Sequence, residues 1–343
     1  MANQAWQITS PGVLELKDLG HDIPMPGPRQ ALIRIQAVTF NYRDVLVVES
    51  SPDYPVKPKA GLVPCSDAAG TVEEAGPDSI WKKGDRVVIH PNTWLTGLDP
   101  RNLDMYSIAG GGDCDGTLRR WLVWDDARLW RAPEGLSIEE SCTQFTAGNT
   151  AYRALFHGPK RIEPGMTILT QGTGGVSCFA IQIAAAVGAT AISTSSSDEK
   201  LKVAQKLGAK HLINYRKTPK WEDEVLKATD GKGVDIVVDV VGAGSIEQTL
   251  KATRFGGAVV LVGLLCDDPD QKVNIMQDIL YGAKTLEGHL GASNKEMADE
   301  FAGFIEKHDL HPEIALVFDF EDADKALEAA RTLSAPGKVV VRV

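Results

Sequence analysis

The turn Gly172-Thr173-Gly174-Gly175-Val176-Ser177 constrains this chain more than any other stretch. It follows the short apolar run Thr167–Thr170 and opens a second apolar run, Cys178–Val187, which Gly188 stops. Glycines at such a point let the backbone turn tightly and approach a ligand closely. The first amides of the helix then face whatever is bound there. The pattern is Gly-x-Gly-x-x-Gly with Ser177 in the last place, small enough to keep helix and strand packed. The motif alone is weak, and a Gly-rich turn without nucleotide is its bland reading. Between a strand and a helix it predicts a dinucleotide pyrophosphate held by Gly172, Thr173, Gly174, Gly175 and Val176.

The surrounding pattern agrees. Ala189–Thr194, His211–Asn214, Val234–Val241 and Ala258–Gly263 read as strands, with helices at Glu199–Leu207, Trp221–Thr229 and Ser245–Thr253 between them. Strands alternating with helices predict a doubly wound parallel sheet of the Rossmann kind. The earlier part reads as irregular β structure, with strands at Ala31–Val38, from Asp67, and at Arg86–Ile89. Prolines between Pro52 and Pro64 suit a loop crossing over a site, and Pro91–Gly116 is a long Gly-rich loop. A helix over Asp322–Leu333 and a strand over Lys338–Val343 have no place in the parallel sheet and are free to return to the first domain.

Composition removes several function classes. At 343 residues the chain has room for two domains. Lys+Arg 36 against Asp+Glu 46 leaves a net charge of −10, which argues against nucleic-acid or anionic-membrane partners. There is no apolar run of about 18 residues for a membrane span, and Met1–Asp22 lacks the features of a secretory signal. Five scattered cysteines, an odd number with no Cys-x-x-Cys, point to reduced thiols. The expectation is a soluble, cytoplasmic protein.

Which dinucleotide binds depends on the end of the next strand. An NAD site places an acid there for the ribose hydroxyls, about 20 residues on. Here stand Thr194, Ser195, Ser196 and Ser197, with Lys200 just beyond and Tyr215 after the following strand. Uncharged hydroxyls beside a lysine suit a 2′-phosphate, so NADP(H) is the expected cofactor. Other readings stay open: Ser196 with Glu199 as a capping box, Lys200 as a solvated helix residue, and Asp198 as a displaced NAD-type acid.

Asn41-Tyr42-Arg43-Asp44, Ser66-Asp67-Ala-Ala-Gly-Thr-Val, Lys83-Gly84-Asp85-Arg86-Val87, Thr146-Ala-Gly-Asn-Thr150-Ala-Tyr, the Gly172–Ser177 turn and Asp239-Val-Val-Gly242 occur in this order. With them the chain resembles the medium-chain dehydrogenase/reductase superfamily over essentially its whole length. The resemblance implies a GroES-like catalytic β domain, residues 1–140 and 289–343, and a Rossmann dinucleotide-binding domain, residues 141–288. It places Thr150 at the nicotinamide amide. It sets Val241, Val262, Gly263 and Leu264 along the adenosine and nicotinamide, and His289, Leu290 and Lys338 at the border of the coenzyme. It also implies a homodimer.

The zinc-dependent alcohol dehydrogenases of that superfamily carry Cys where Asn41 stands and Gly-His-Glu where Cys65-Ser66-Asp67 stand. Their four-cysteine lobe is replaced by Pro91–Gly116, with only Cys114. A tetrahedral catalytic zinc needs three protein ligands. Cys65 with His90 or Asp44 is the sole makeshift set, and the expectation is no metal. The pattern resembles the zinc-free quinone oxidoreductase branch, with its Asn-Tyr-x-Asp motif. Without a Lewis acid, quinones and α,β-unsaturated carbonyls are the fitting hydride acceptors, because the charge delivered spreads over a conjugated system.

Tyr42 is the first candidate for orienting the substrate oxygen or donating a proton, against a role as pocket wall. Asn41 is a candidate neutral donor near the nicotinamide, and Tyr54 a second aromatic lining the site. Arg43-Asp44 is read as a surface ion pair. Two further functions remain: a zinc-independent alcohol dehydrogenase or enoyl reductase with a dedicated metabolite, and a catalytically silent NADPH-binding sensor.

Overall fold

The computed structural model describes residues 2–266, 273–291, 293–332 and 335–343. It divides into two compact units, Met1–Thr146 with Ser293–Val343, and Ala147–Ala292. Among the described residues no helix is long and apolar enough to cross a membrane.

The second unit is a six-stranded sheet in the order His211–Asn214, Thr190–Ser195, Thr167–Gln171, Val234–Asp239, Thr253–Leu261, Thr285–Gly288. Every pair in it is parallel. Val234, Ile236, Val237 and Val238 of the central strand Val234–Asp239 are all buried, as a parallel strand covered on both faces requires. The chain runs outward from Thr167–Gln171 to one edge, then returns to lay Val234–Asp239 on the other side. That reversal makes the ends of these two central strands the switch point where open α/β sheets take ligands. The helix that follows the turn spans Gly175–Val187, three residues earlier than expected, and closes at Gly188 with φ 85°, a left-handed value that favours glycine.

The first unit carries a seven-stranded sheet ordered Ile314–Asp319, Lys338–Arg342, Gln30–Phe40, Asp67–Ala75, Arg86–Ile89, Leu129–Arg131, with Trp121–Asp125 also paired to Gln30–Phe40. The tail thus belongs here. Its strand Lys338–Arg342 runs antiparallel to Gln30–Phe40 and parallel to Ile314–Asp319. The preceding helix spans Ala323–Thr332; Leu333, its expected last residue, lies outside the described residues. Phe320 joins the tail to the core. It is buried, its ring lies 4.5 Å under the Arg120 guanidinium, and its carbonyl accepts from Trp6 Nε1 at 2.8 Å.

One local expectation is corrected, and two further elements come with it. The helix Asp198–Lys206 is capped by Ser197, whose hydroxyl accepts from the Lys200 amide, and not by a box between Ser196 and Glu199. Glu199 instead pairs with Lys202. Asn41 heads an unforeseen helix, Tyr42–Val48, with Asp44 accepting from the Asn41 amide at 2.8 Å. The loop after Pro91 contains two short 3-10 turns, Pro100–Asn102 and Met105–Ser107, each begun by an aspartate that accepts from the turn's own amides.

Phe320→Ala is expected to cost about 3–5 kcal/mol, the usual cost of deleting a buried ring. Urea unfolding checks it, and a loss under about 1 kcal/mol would contradict the packing described.

Candidate active site

Each unit contributes its own set of residues. In the second, the turn after Thr167–Gln171 is pinned by side chains the glycine pattern does not reveal. Ser177 Oγ donates to Gln171 O at 2.8 Å, and Thr173 Oγ1 lies 3.2 Å from Ser195 Oγ. Gly172 has φ 73°, and a Cβ on Gly174 would meet no protein atom within 4 Å. Gly174 offers no side chain to cap the helix, so the amides of its first turn face open space. That cradle fits a pyrophosphate.

Asp239 holds the neighbouring strand end. Its carboxylate accepts from the Val241 and Gly242 amides at 2.9 and 2.8 Å and from Thr249 Oγ1 at 3.0 Å. With its amide turned, Gln171 Nε2 adds two more hydrogen bonds to the same carboxylate and its oxygen accepts from Ser245 Oγ. Burial raises the Asp239 pKa, opposed by the Gly242 and Val241 amides. Val262 and Leu265 then bond back to Asp239 O and Val240 O, which sets the segment containing Gly263 and Leu264 beside Val241.

At the adenosine end Ser195 is buried, Ser196 and Lys200 are half-buried, and Tyr215 is exposed with its amide on Ser195 O at 3.1 Å. Asp198 is turned away, paired with Lys217 and accepting from Asn214 Nδ2 at 2.7 Å. The Thr150 hydroxyl is buried with no hydrogen-bond partner among the described residues, and a Cβ on Gly291 would stand 3.6 Å from it. His289 Nε2 lies 2.5 Å from Glu287 Oε1, burial lowers the ring's pKa, and Leu290 O accepts from Arg153 at 3.4 Å.

In the first unit the structure gathers Asn41, Tyr54 and Lys338 around buried charges. Lys338 Nζ donates to Asn41 Oδ1 at 2.5 Å and to Phe40 O at 2.9 Å. Burial lowers the pKa of this amine. The Arg43–Asp44 pair is a correction to the sequence reading: at 2.9 Å, with the carboxylate fully buried, it is an interior pair. Arg43 also donates to Tyr54 Oη at 2.8 Å and to the carbonyls of Ala109 and Gly110, clamping helix, loop and tyrosine together. Burial works against the Arg43 charge, but Tyr54 and Asp44 outweigh it and its pKa is raised. Tyr42, in the first turn of its helix, is half-buried. Burial, then Glu49 and Asp53, raise its pKa, so the phenol keeps its proton at neutral pH.

Sequence reasoning assigned no role to Thr146, and Asp67 served it only as part of a motif. Ser66 Oγ donates to Asp67 Oδ1 at 2.7 Å, Thr146 Oγ1 donates to the same oxygen at 2.6 Å, and the Thr146 amide donates to Oδ2 at 2.8 Å. Seventy-nine residues separate the partners, so no local spacing marks them. The helix at Tyr42 did have a signal: a cap residue, Asn41, followed three places on by Asp44.

Among the described residues no three His, Cys, Asp or Glu gather in a way that could hold a metal ion. His90 Nε2 is 3.1 Å from Trp94 O, and the ring meets Phe145 edge-on at 4.9 Å. Burial, chiefly, pushes its pKa down to about 3. Burial likewise pushes the Cys65 thiol well up.

Residues 27–134 match the alcohol dehydrogenase GroES-like domain family, and residues 175–307 the zinc-binding dehydrogenase family. A zinc-type alcohol dehydrogenase-like protein of Schizosaccharomyces pombe is 34% identical over 97% of this chain and 96% of its own. The quinone oxidoreductase of Mus musculus is 29% identical over 95% of this chain and 92% of its own. The crystal structure of a quinone oxidoreductase from Pseudomonas syringae superposes with a TM-score of 0.80 at 26% identity, covering 99% of this chain and 100% of that one.

Gly174→Val places a side chain where the cradle is empty. It is expected to leave the unfolding midpoint unchanged while weakening pyridine-nucleotide binding at least about tenfold, read by calorimetry; undiminished binding would contradict the cradle. For His90 the stability carried by the neutral ring is present above about pH 6.5 and is lost as pH falls toward 3. The slope is about 1.4 kcal/mol per pH unit, because the unfolded chain takes a proton that the folded one refuses. Urea unfolding from pH 7 to pH 4.5 is expected to show a shallower loss in His90→Asn; equal slopes would contradict the burial.

Proposed function

We propose, from the premise that this chain belongs to the medium-chain dehydrogenase/reductase superfamily, that it transfers hydride from NADPH to a quinone or another α,β-unsaturated carbonyl without zinc. The observation that carries this reading is the chemistry of the groups around Asn41. A catalytic zinc wants thiolate and imidazole. Where the alcohol dehydrogenases of the superfamily carry Cys, this chain has an amide whose oxygen is tied to Lys338. Where they carry His, it has Ser66, which donates to Asp67. The Cys65 thiol is held protonated by burial, and His90 is committed to a carbonyl among aromatic rings. These residues do not fit a zinc ion.

The coenzyme fits its residues better. Thr173, Gly174, Gly175 and Val176 would take the pyrophosphate, with Gly172 making the turn. Ser195, Ser196, Lys200 and Tyr215 would take the 2′-phosphate; Thr150, Val241, Val262, Gly263, Leu264, His289 and Leu290 would take the rest. Asp198 already pairs with Lys217 and Asn214, and Glu199 with Lys202, while the strand end itself offers only hydroxyls. This supports NADP(H) over NAD(H). When bound, the coenzyme supplies the hydride. Tyr42, its phenol protonated, orients the substrate oxygen; Asn41, fixed by Lys338, presents a neutral amide; Tyr54 lines the site under Arg43. Lys338 holds Asn41 and would border the coenzyme. By its family we also assign a cytoplasmic homodimer.

NADPH oxidation against quinones, enones and plain ketones tests the reading. Turnover confined to conjugated acceptors is expected. Turnover of plain ketones alone would favour an alcohol dehydrogenase, and tight NADPH binding without turnover a sensor. Lys200→Ala is expected to weaken NADPH by about 1–3 kcal/mol more than NADH, and equal losses would contradict the phosphate role. Tyr42→Phe is expected to lower kcat about tenfold or more; unchanged kinetics would leave the ring as a wall.

A further inference from the structure

We infer that Arg34 and Arg119, on one face of the first unit's sheet, form a binding site for a phosphate group, free or carried by a small molecule. The inference stands apart from the hydride-transfer reading, and either can fail without the other.

An arginine drawn partly out of water ordinarily finds acceptors, because its donors lose hydration on the way in. Among the described residues of this unit, Arg43, Arg120, Arg128 and Arg331 are half-buried, and each bonds to more than one group. Arg34 and Arg119 are half-buried too, yet neither guanidinium makes a hydrogen bond or ion pair with the described residues. The Nε of each is sealed from water with no acceptor. Their stems are therefore held by packing, and only the outer ends of the two forks remain to meet a ligand.

The sheet brings the two together. Arg34 stands opposite Trp121 in the antiparallel pairing of Gln30–Phe40 with Trp121–Asp125. The Ile35 amide donates to Arg120 O at 3.0 Å, which carries that register back to Arg119. Two residues before Trp121, Arg119 emerges on the same face as Arg34 and diagonal to it, about 7 Å away at Cβ. Side chains as long as these converge across such a gap. Trp121 lies between them, buried, and its indole N–H also lacks an acceptor among the described residues.

The nearby acids are already engaged. Asp115, whose charge bears on Arg119, accepts from the Val63 amide and pairs with Lys59, both at 3.1 Å. Glu73, which feels Arg34, pairs with Lys83. Burial lowers the Arg119 pKa against the pull of Asp115, so the charge is held at a cost. In a chain of net charge −10, two adjacent cations without a bonded counter-charge are an exception. A phosphate answers it, because its oxygens on four sides accept a fork from each arginine, whereas the two oxygens of a carboxylate serve one.

The test follows the Trp121 indole N–H in 15N–1H spectra of the full chain, its resonance identified by its loss in Trp121→Phe. Inorganic phosphate, methyl phosphate or acetate is added at constant ionic strength. A saturating shift with Kd on the order of 1 mM is expected with phosphate, and binding at least about tenfold weaker with acetate. An equal response to methyl phosphate identifies a carried phosphate as the ligand, and a response to inorganic phosphate alone identifies the free ion; both support the site. Arg34→Gln and Arg119→Gln are each expected to weaken phosphate at least about tenfold, with unfolding midpoints within about 2 °C of wild type. These variants also separate the site from the Gly172–Ser177 turn. If glutamine is not accommodated, Arg119→Lys keeps the charge and loses the fork, and a loss of about fivefold or more is expected. A Trp121 resonance unmoved by about 10 mM phosphate, or moved equally in the arginine variants, would overturn the site.

Discussion

Four buried charges, two of each sign, govern the reactive groups of the first unit. Asp44 and Asp67 are fully buried, Lys338 is nearly so, and the Arg43 side chain is only 16% exposed. Removing such groups from water costs several kcal/mol each unless every one finds partners. The sequence meets that demand by converging four separate segments. The helix at Tyr42 brings Arg43 and Asp44, the strand from Asp67 brings its own first residue, and the C-terminal strand brings Lys338. The loop after Pro91 offers carbonyls to Arg43. Once the charges are balanced, Asn41, Tyr54, Ser66 and Thr146 have little freedom left, because each is bonded to one of them. The chemistry open to this unit follows from that restraint.

The same restraint leaves Asn41 and Ser66, which stand where the metal-dependent members of the superfamily carry ligands, bonded within the protein. Its relatives' names divide between alcohol dehydrogenase and quinone oxidoreductase, and a shared fold does not choose between them. What differs is a handful of side chains. An amide and two hydroxyls around a buried carboxylate make a poor zinc site. In the second unit the equivalent restraint is Asp239, whose hydrogen bonds to Val241, Gly242 and Thr249 hold the end of its own strand.

Five of the six strands of the parallel sheet were legible in the sequence because they are short and separated by helices of ordinary length; the edge strand Thr285–Gly288 was not read. Each strand end coincided with a glycine or a change of period. The phosphate-binding turn was legible for the same reason. The helix Tyr42–Val48 was missed because it spans only seven residues and follows a strand without a break. Arg43–Asp44 was misread as a surface pair because adjacency in sequence says nothing about depth. Thr146 was passed over because a threonine's meaning depends on its partner, and Asp67 is 79 positions away. Ser197 displaced Ser196 as the cap in a run of three serines, where only the backbone angle at the cap decides.

The central claim is that this arrangement of side chains conducts hydride chemistry without a metal. Elemental analysis of purified chain, set beside NADPH-dependent turnover of a quinone or enone across preparations of different zinc content, tests it most directly. Full turnover at zinc contents far below one per chain, unchanged by prolonged chelation, is the predicted result. Turnover that rises in proportion to zinc and reaches its maximum at one ion per chain would contradict it.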